Sequence, residues 1–120
     1  HTVNFVVVDN NKNDLELLAQ AIRKAMPDCR IQLFNDPLLS AKYICNNPVD
    51  MVFLTDVMRP VSGFRLMQVL RKNVPKLAVV MLSDSELNRV DAIHAGADDY
   101  LLKPISPQML GGLVKQSAVS

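Results

Sequence analysis

The chain has 120 residues, a size suited to one domain. Hydrophobic residues make up 49% of it and charged ones 21%, which excludes intrinsic disorder and supplies a core without disulfides or metal. A net charge of +1 with no basic run leaves no footprint for nucleic acid, and no segment has the length of a membrane span or the pattern of a leading signal peptide.

In chain order, "VNFVVV" (3–8) is a β-branched apolar run, expected to be a strand buried on both faces. Asp9, Asn10 and Asn11 follow it. Leu15, Leu18, Ile22 and Met26 then recur with helical period, and Asn13 with Glu16 three residues on reads as the capping box of that helix. "RIQLF" (30–34) alternates instead, which suits an edge strand. Asp36-Pro37 reads as an N-cap followed by proline in the first helical turn. The third apolar run, "DMVFLT" (50–55), leads into Thr55-Asp56 and a Met-Arg-Pro turn. A helix over Met67, Leu70 and Val74 precedes the fourth run, "LAVVML" (77–82), and Ser83. Leu87, Val90 and Ile93 mark a fourth helix, which Gly96 should end in a left-handed conformation. "DYLL" (99–102) and Lys103-Pro104 come next. Ser106-Pro107 then starts a last helix through Leu110, Leu113 and Val114.

Five strands alternating with five helices imply an α/β fold. The arrangement expected is a doubly wound, five-stranded parallel sheet, (βα)5 and flavodoxin-like, in three αβα layers, with residues 1–120 as one domain. Pro27, Pro48 and Pro75 fall between elements, where a helix should stop. In open sheets of this kind the ligand site lies beyond the carboxyl ends of the strands. Asp9, Asn10, Thr55, Asp56, Ser83 and Lys103 all fall there.

The blocks "VVVDN" (6–10), "DMVFLTDVMRPVSGF" (50–64), "VVMLSD" (79–84) and "AGADDYLLKPIS" (95–106) resemble the receiver domain of two-component response regulators, a chemotaxis-regulator-like fold. The likeness covers nearly the whole chain. It implies a signalling module, not an enzyme with a catalytic residue set of its own. In such a module a histidine kinase passes a phosphoryl group to an aspartate at the end of strand three. Two acids after strand one hold Mg²⁺, a hard cation that takes oxygen ligands. The metal and a lysine neutralise the transferring charge, so the site works by positioning and electrostatics. Carried over by position, Lys103 matches the phosphoryl-binding lysine, Ser83 the hydroxyl after strand four, and Tyr100 the switching aromatic. Asp9 matches the first metal acid. The second is Asn10, whose neutral amide should leave the Mg²⁺ site weak or lost.

The phosphoacceptor position is the main departure. The family acceptor precedes the Met of its Met-Pro turn by three residues, which from Met58 leads to Thr55. Asp50 lies five before Thr55, and Gly63 falls into place without a gap. The alternative, Asp56, needs an extra residue in strand three, and a one-residue shift reverses the face a side chain points to. A neutral threonine hydroxyl is a weak nucleophile. The expectation is therefore a pseudo-receiver acting through protein–protein contacts, with a conventional receiver phosphorylated on Asp56 as the alternative.

The resemblance further implies a sensor histidine kinase or other signalling partner. It also implies homodimerisation through the face of helix four, strand five and helix five, with no nucleic-acid or membrane contact by this domain. The short spacing from Ser83 to Lys103 resembles receivers joined to LytTR-type DNA-binding domains, hence an expected role in transcription regulation through an output domain outside this chain. Cys29 and Cys45 read as reduced thiols of a cytoplasmic protein. Simpler roles stand beside these: Asp9 and Asn10 as loop caps, Ser83 as the cap of helix four, His94 without chemistry, and Arg59 as a surface turn residue able to lend charge to Asp9 or Asp56. A small-molecule binder on the same sheet would want a glycine-rich loop after strand one, and "DNNKND" has no glycine.

Overall fold

Each apolar run forms a strand: β1 (Asn4–Val8), β2 (Arg30–Phe34), β3 (Met51–Thr55), β4 (Ala78–Ser83) and β5 (Asp99–Leu102). The helices between and after them are α1 (Lys12–Ala25), α2 (Pro37–Asn46), α3 (Gly63–Asn73), α4 (Arg89–His94, entered through a 3-10 turn at Glu86–Asn88) and α5 (Pro107–Val119). The structure is a computed structural model that describes residues 1–119, with side chains through residue 114. The strands pair in parallel in the order β2-β1-β3-β4-β5. The alternating strand, β2, lies at one edge, as its pattern implied, and β5 lies at the other. Among the described residues, no helix is long and apolar enough to cross a membrane.

Side chains alternate along a strand, so the sheet sorts its residues into two cores. Val6, Val8, Val52, Leu54, Val79, Met81 and Tyr100 pack on one face with Leu66, Met67 and Leu70 of α3. Phe5, Val7, Met51, Phe53, Val80 and Leu82 pack on the other with Leu15, Leu18 and Ile22 of α1 and Leu110 and Val114 of α5. Both sets are almost wholly buried. This odd–even sorting decides which residues meet at the carboxyl edge.

Helix boundaries follow local chemistry, with two corrections. Asp36 caps α2 by accepting the Leu38 N–H, and Gly96 ends α4 at φ 115°, as expected. The cap of α1 is Asn11, which accepts the Asp14 N–H; Asn13 lies inside the helix and starts no capping box. The turn into α4 is capped by Ser85, which accepts the Leu87 N–H, not by Ser83. Leu87, Val90 and Ile93 share a stripe as their spacing implied, but the stripe faces outward, with Leu87 89% exposed. Only Ala92 of α4 is buried, so the short helix rests on its small residue.

Arg71 of α3 ties down the approach to β5. Its guanidinium donates to the carbonyls of Gly96, Pro75 and Leu77 and pairs with Asp98 at 2.9 Å. Asp98 in turn accepts the Val79 N–H. The bonds satisfy loop carbonyls near the buried strand β4.

Candidate functional site

Asp9, Thr55 and Lys103 have the parity of the α1/α5 face and meet at its carboxyl edge. The Thr55 hydroxyl donates to Asp9 Oδ2 at 2.8 Å, and Lys103 Nζ donates to the same oxygen at 2.6 Å. Asp9 Oδ1 accepts the Asn11 N–H, which turns the chain into α1. Asp14, in the first turn of α1, adds a second carboxylate to Lys103 at 3.0 Å. Asp9 and Lys103 are largely buried, with side chains 7% and 12% exposed, whereas Asp14 reaches solvent. Burial alone would lower the Lys103 pKa. The hydrogen bonds and charges of Asp9 and Asp14 outweigh it and hold the ammonium above the ordinary lysine value.

A cleft of about 400 Å³ opens from these groups between α1 and the β5–α5 connection, walled by Leu17, Leu18, Ala21, Pro104 and Ile105. Gly63 closes the far side of the β3 end. A Cβ there would overlap the Thr55 carbonyl oxygen and stand 2.9 Å from Asp56 Cα, so α3 can begin this close to β3 only with glycine.

Asp56 is the next residue and points the other way. β3 is regular, with Thr55 opposite Leu82, so no bulge turns Asp56 back. Its backbone still joins the sheet, with N–H to the Leu82 carbonyl at 2.9 Å. Its buried carboxylate accepts the Val57 N–H on Oδ1 at 2.8 Å, and Ser83 Oγ at 2.6 Å and Asn88 Nδ2 at 3.1 Å on Oδ2. Thus Ser83 and Asp56 belong to the α3/α4 face, and Asp9, Thr55 and Lys103 to the other.

Asn10 is turned away from this group. Its amide donates to the carbonyls of Asn35 and Arg59, and its oxygen accepts the Arg59 N–H at 2.7 Å. It fastens the β3–α3 turn to the loops after β1 and β2. Arg59 contributes its backbone to that clasp; its exposed guanidinium forms no salt bridge among the described residues. A divalent cation needs several oxygens, preferably charged. Asp9 and Asp56 point to opposite faces, the Asn10 oxygen is taken up by the Arg59 N–H, and among the described residues no three His, Cys, Asp or Glu side chains cluster as metal ligands.

Tyr100 is 1% exposed, and its hydroxyl donates to the Ser85 carbonyl at 2.5 Å. Arg89 lies over the ring, 5.0 Å from its centroid, and donates to the Tyr100 carbonyl. His94 ends α4 in solvent, and neither cysteine is near the site; Cys45 is exposed. Sequence reasoning missed Asp14 and Asn88. Asp14 carries a signal, an acid one turn into α1 beside the carboxyl edge. Asn88 carries none, because only the 3-10 turn brings it over Asp56.

With that geometry in place, comparison with known proteins decides the family. The sequence matches the response regulator receiver domain over residues 5–115. The chain belongs to that family. It is 33% identical over 114 residues to the regulatory protein VanRc of Enterococcus gallinarum, covering 92% of this chain and 48% of the relative. It is 31% identical over 110 residues to the response regulator MprA of Mycobacterium sp. (strain KMS), covering 90% of this chain and 47% of the relative. The receiver therefore spans about half the length of these curated relatives. Its fold is that of a crystal structure of a putative response regulator from Chloroflexus aurantiacus, at TM-score 0.87, 22% identity and full coverage of both chains.

Proposed function

We propose that this receiver domain has lost, or nearly lost, conventional aspartyl phosphorylation and signals through protein–protein contacts. The supporting observation is the parity of the β3 end. Thr55, not Asp56, shares a face with Asp9 and Lys103, and Asp56 is held on the opposite face by Ser83 and Asn88. Thr55 does have a carboxylate beside its hydroxyl, but the Asp9 oxygen that would take the proton already accepts the Lys103 ammonium. On this reading the domain turns over no substrate and binds Mg²⁺ weakly or not at all.

The partners are a histidine kinase or another signalling protein of the cytoplasm. The contact surface, and the route to a homodimer, is the face of α4, β5 and α5, where Leu87, Val90 and Ile93 are exposed. A transcriptional output is the reading favoured by the likeness to PhoB of Pseudomonas aeruginosa, 27% identical over 115 residues and named a transcriptional regulatory protein.

The test is incubation with Mg²⁺ and a small phosphodonor, followed by intact mass. The expected result is no stoichiometric adduct. A hydroxylamine-labile phosphoryl adduct would overturn the proposal, and its mapping to Asp56 would establish the conventional alternative.

A further inference from the structure

Asp56 is a buried carboxylate without a cation. Among the described residues no Lys, Arg or His pairs with it. A buried charge must be compensated by polar partners. Here three neutral donors do so, and each comes from a different part of the fold: the Val57 N–H from the β3–α3 turn, the Ser83 hydroxyl from the end of β4, and the Asn88 amide from the turn into α4. The Ser83 bond, at 2.6 Å, has the length of a charge-assisted O–H···O⁻ contact, roughly twice as strong as a neutral one.

Further bonds carry this restraint outward. Ser83 Oγ accepts the Ser85 N–H, the Ser85 carbonyl accepts the Tyr100 hydroxyl, and Arg89 reaches back to the Tyr100 carbonyl. The segment so held, from Asp84 to Val90, carries the exposed side chains Leu87 and Val90. It has almost no apolar anchor of its own. Glu86–Asn88 contributes no buried residue, and α4 buries only Ala92.

We propose that Asp56 is a built-in anionic latch. Its unmodified carboxylate holds the β4–α4 segment, and with it the inward Tyr100 and the outward Leu87–Val90 surface, in one fixed arrangement without any covalent change. This goes beyond the pseudo-receiver reading and does not require it, because the latch is a property of the unphosphorylated chain.

Hydrogen–deuterium exchange of the whole chain, with no phosphodonor present, tests the latch. Asp56→Ala should raise exchange of the amides from Asp84 to Val90 at least tenfold, while β1 keeps its wild-type protection. Ser83→Ala and Asn88→Ala each remove one arm and should raise exchange in the same segment severalfold. A folded Asp56→Ala protein with wild-type exchange from Asp84 to Val90, or with a rise matched in β1, would overturn the proposal. Should Asp56→Ala fail to fold, wild-type exchange in both single-arm variants would overturn it equally. A phosphoryl adduct on Asp56 in the mass experiment would refute the pseudo-receiver and leave this outcome independent.

Discussion

Replacing Thr55 by aspartate puts a second carboxylate beside Asp9, and the structure gives the cost. The hydroxyl now donates to Asp9 Oδ2 at 2.8 Å, and losing a hydrogen bond to a charged acceptor costs about 1.5–3 kcal/mol. Two carboxylates about 4 Å apart repel by about 4 kcal/mol at an effective dielectric of about 20. Lys103 is in contact with Asp9 and faces the new charge from a similar distance, so its attraction cancels most of that repulsion. A net loss of about 2 kcal/mol remains, which for a domain of this size lowers Tm by about 8 °C. Paired carboxylates also suit Mg²⁺, and a cation that binds only the folded state restores stability by mass action. Thermal melts of wild type and Thr55→Asp, each with and without Mg²⁺, read this directly. The variant should melt lower and recover with Mg²⁺, while the wild type is indifferent. A variant as stable as wild type without the metal, or a wild type that gains as much from Mg²⁺ as the variant, would refute the reasoning.

Two further outcomes follow from the same site. Lys103→Met leaves the buried Asp9, and beside it the solvent-reaching Asp14, without their cation and should cost about 3 kcal/mol at neutral pH, measured by urea unfolding. The Lys103 pKa is raised in the folded chain, so its stabilisation is fully present below the unfolded lysine value of about 10.4. It is lost as pH rises through the higher folded value. The gap between wild type and variant should therefore be flat from neutrality to about pH 10 and close above it; a gap that closes in the acid direction only would contradict the assignment. Gly63→Ala forces a methyl against backbone atoms of Thr55 and Asp56, which no side-chain rotation can move aside, and should cost about 3 kcal/mol. A loss under about 1 kcal/mol in the same assay would mean that α3 can shift away freely.

Much of the fold was legible because the three inner strands, β1, β3 and β4, are buried on both faces and announce themselves as unbroken apolar runs. Each expected strand agrees with the observed one to within one residue at either end. β2 declared its edge position through Gln32, since alternation marks a strand with one less covered face. The departures have physical causes. Asn11 and Asn13 are both competent caps, and only the bend made by Asp9 selects Asn11. Helical period defines the stripe Leu87, Val90 and Ile93 but not the side from which it is covered. Counting residues led to Thr55 as the acceptor position, and in the structure its hydroxyl bonds to Asp9. The bond from Ser83 to Asp56 was hidden, because it depends on two strands whose parity matches only once their register is known. Asn10 was read through its chemistry as a ligand, while its loop uses it as a clasp on the Arg59 backbone.

The odd–even sorting of the sheet has a consequence for what can be seen from outside. Exchanging the neighbours Thr55 and Asp56 would leave the chain's mass, composition and formal charge unchanged. Isoelectric focusing of the unfolded chain and intact mass spectrometry would see one substance. Yet each strand end is a two-valued address, and the exchange would rewrite it: the carboxylate would sit with Asp9 and Lys103, and the hydroxyl would face Ser83. The chemistry of this domain is therefore stored in the order of two adjacent letters, and a composition-based comparison of receivers is blind to it.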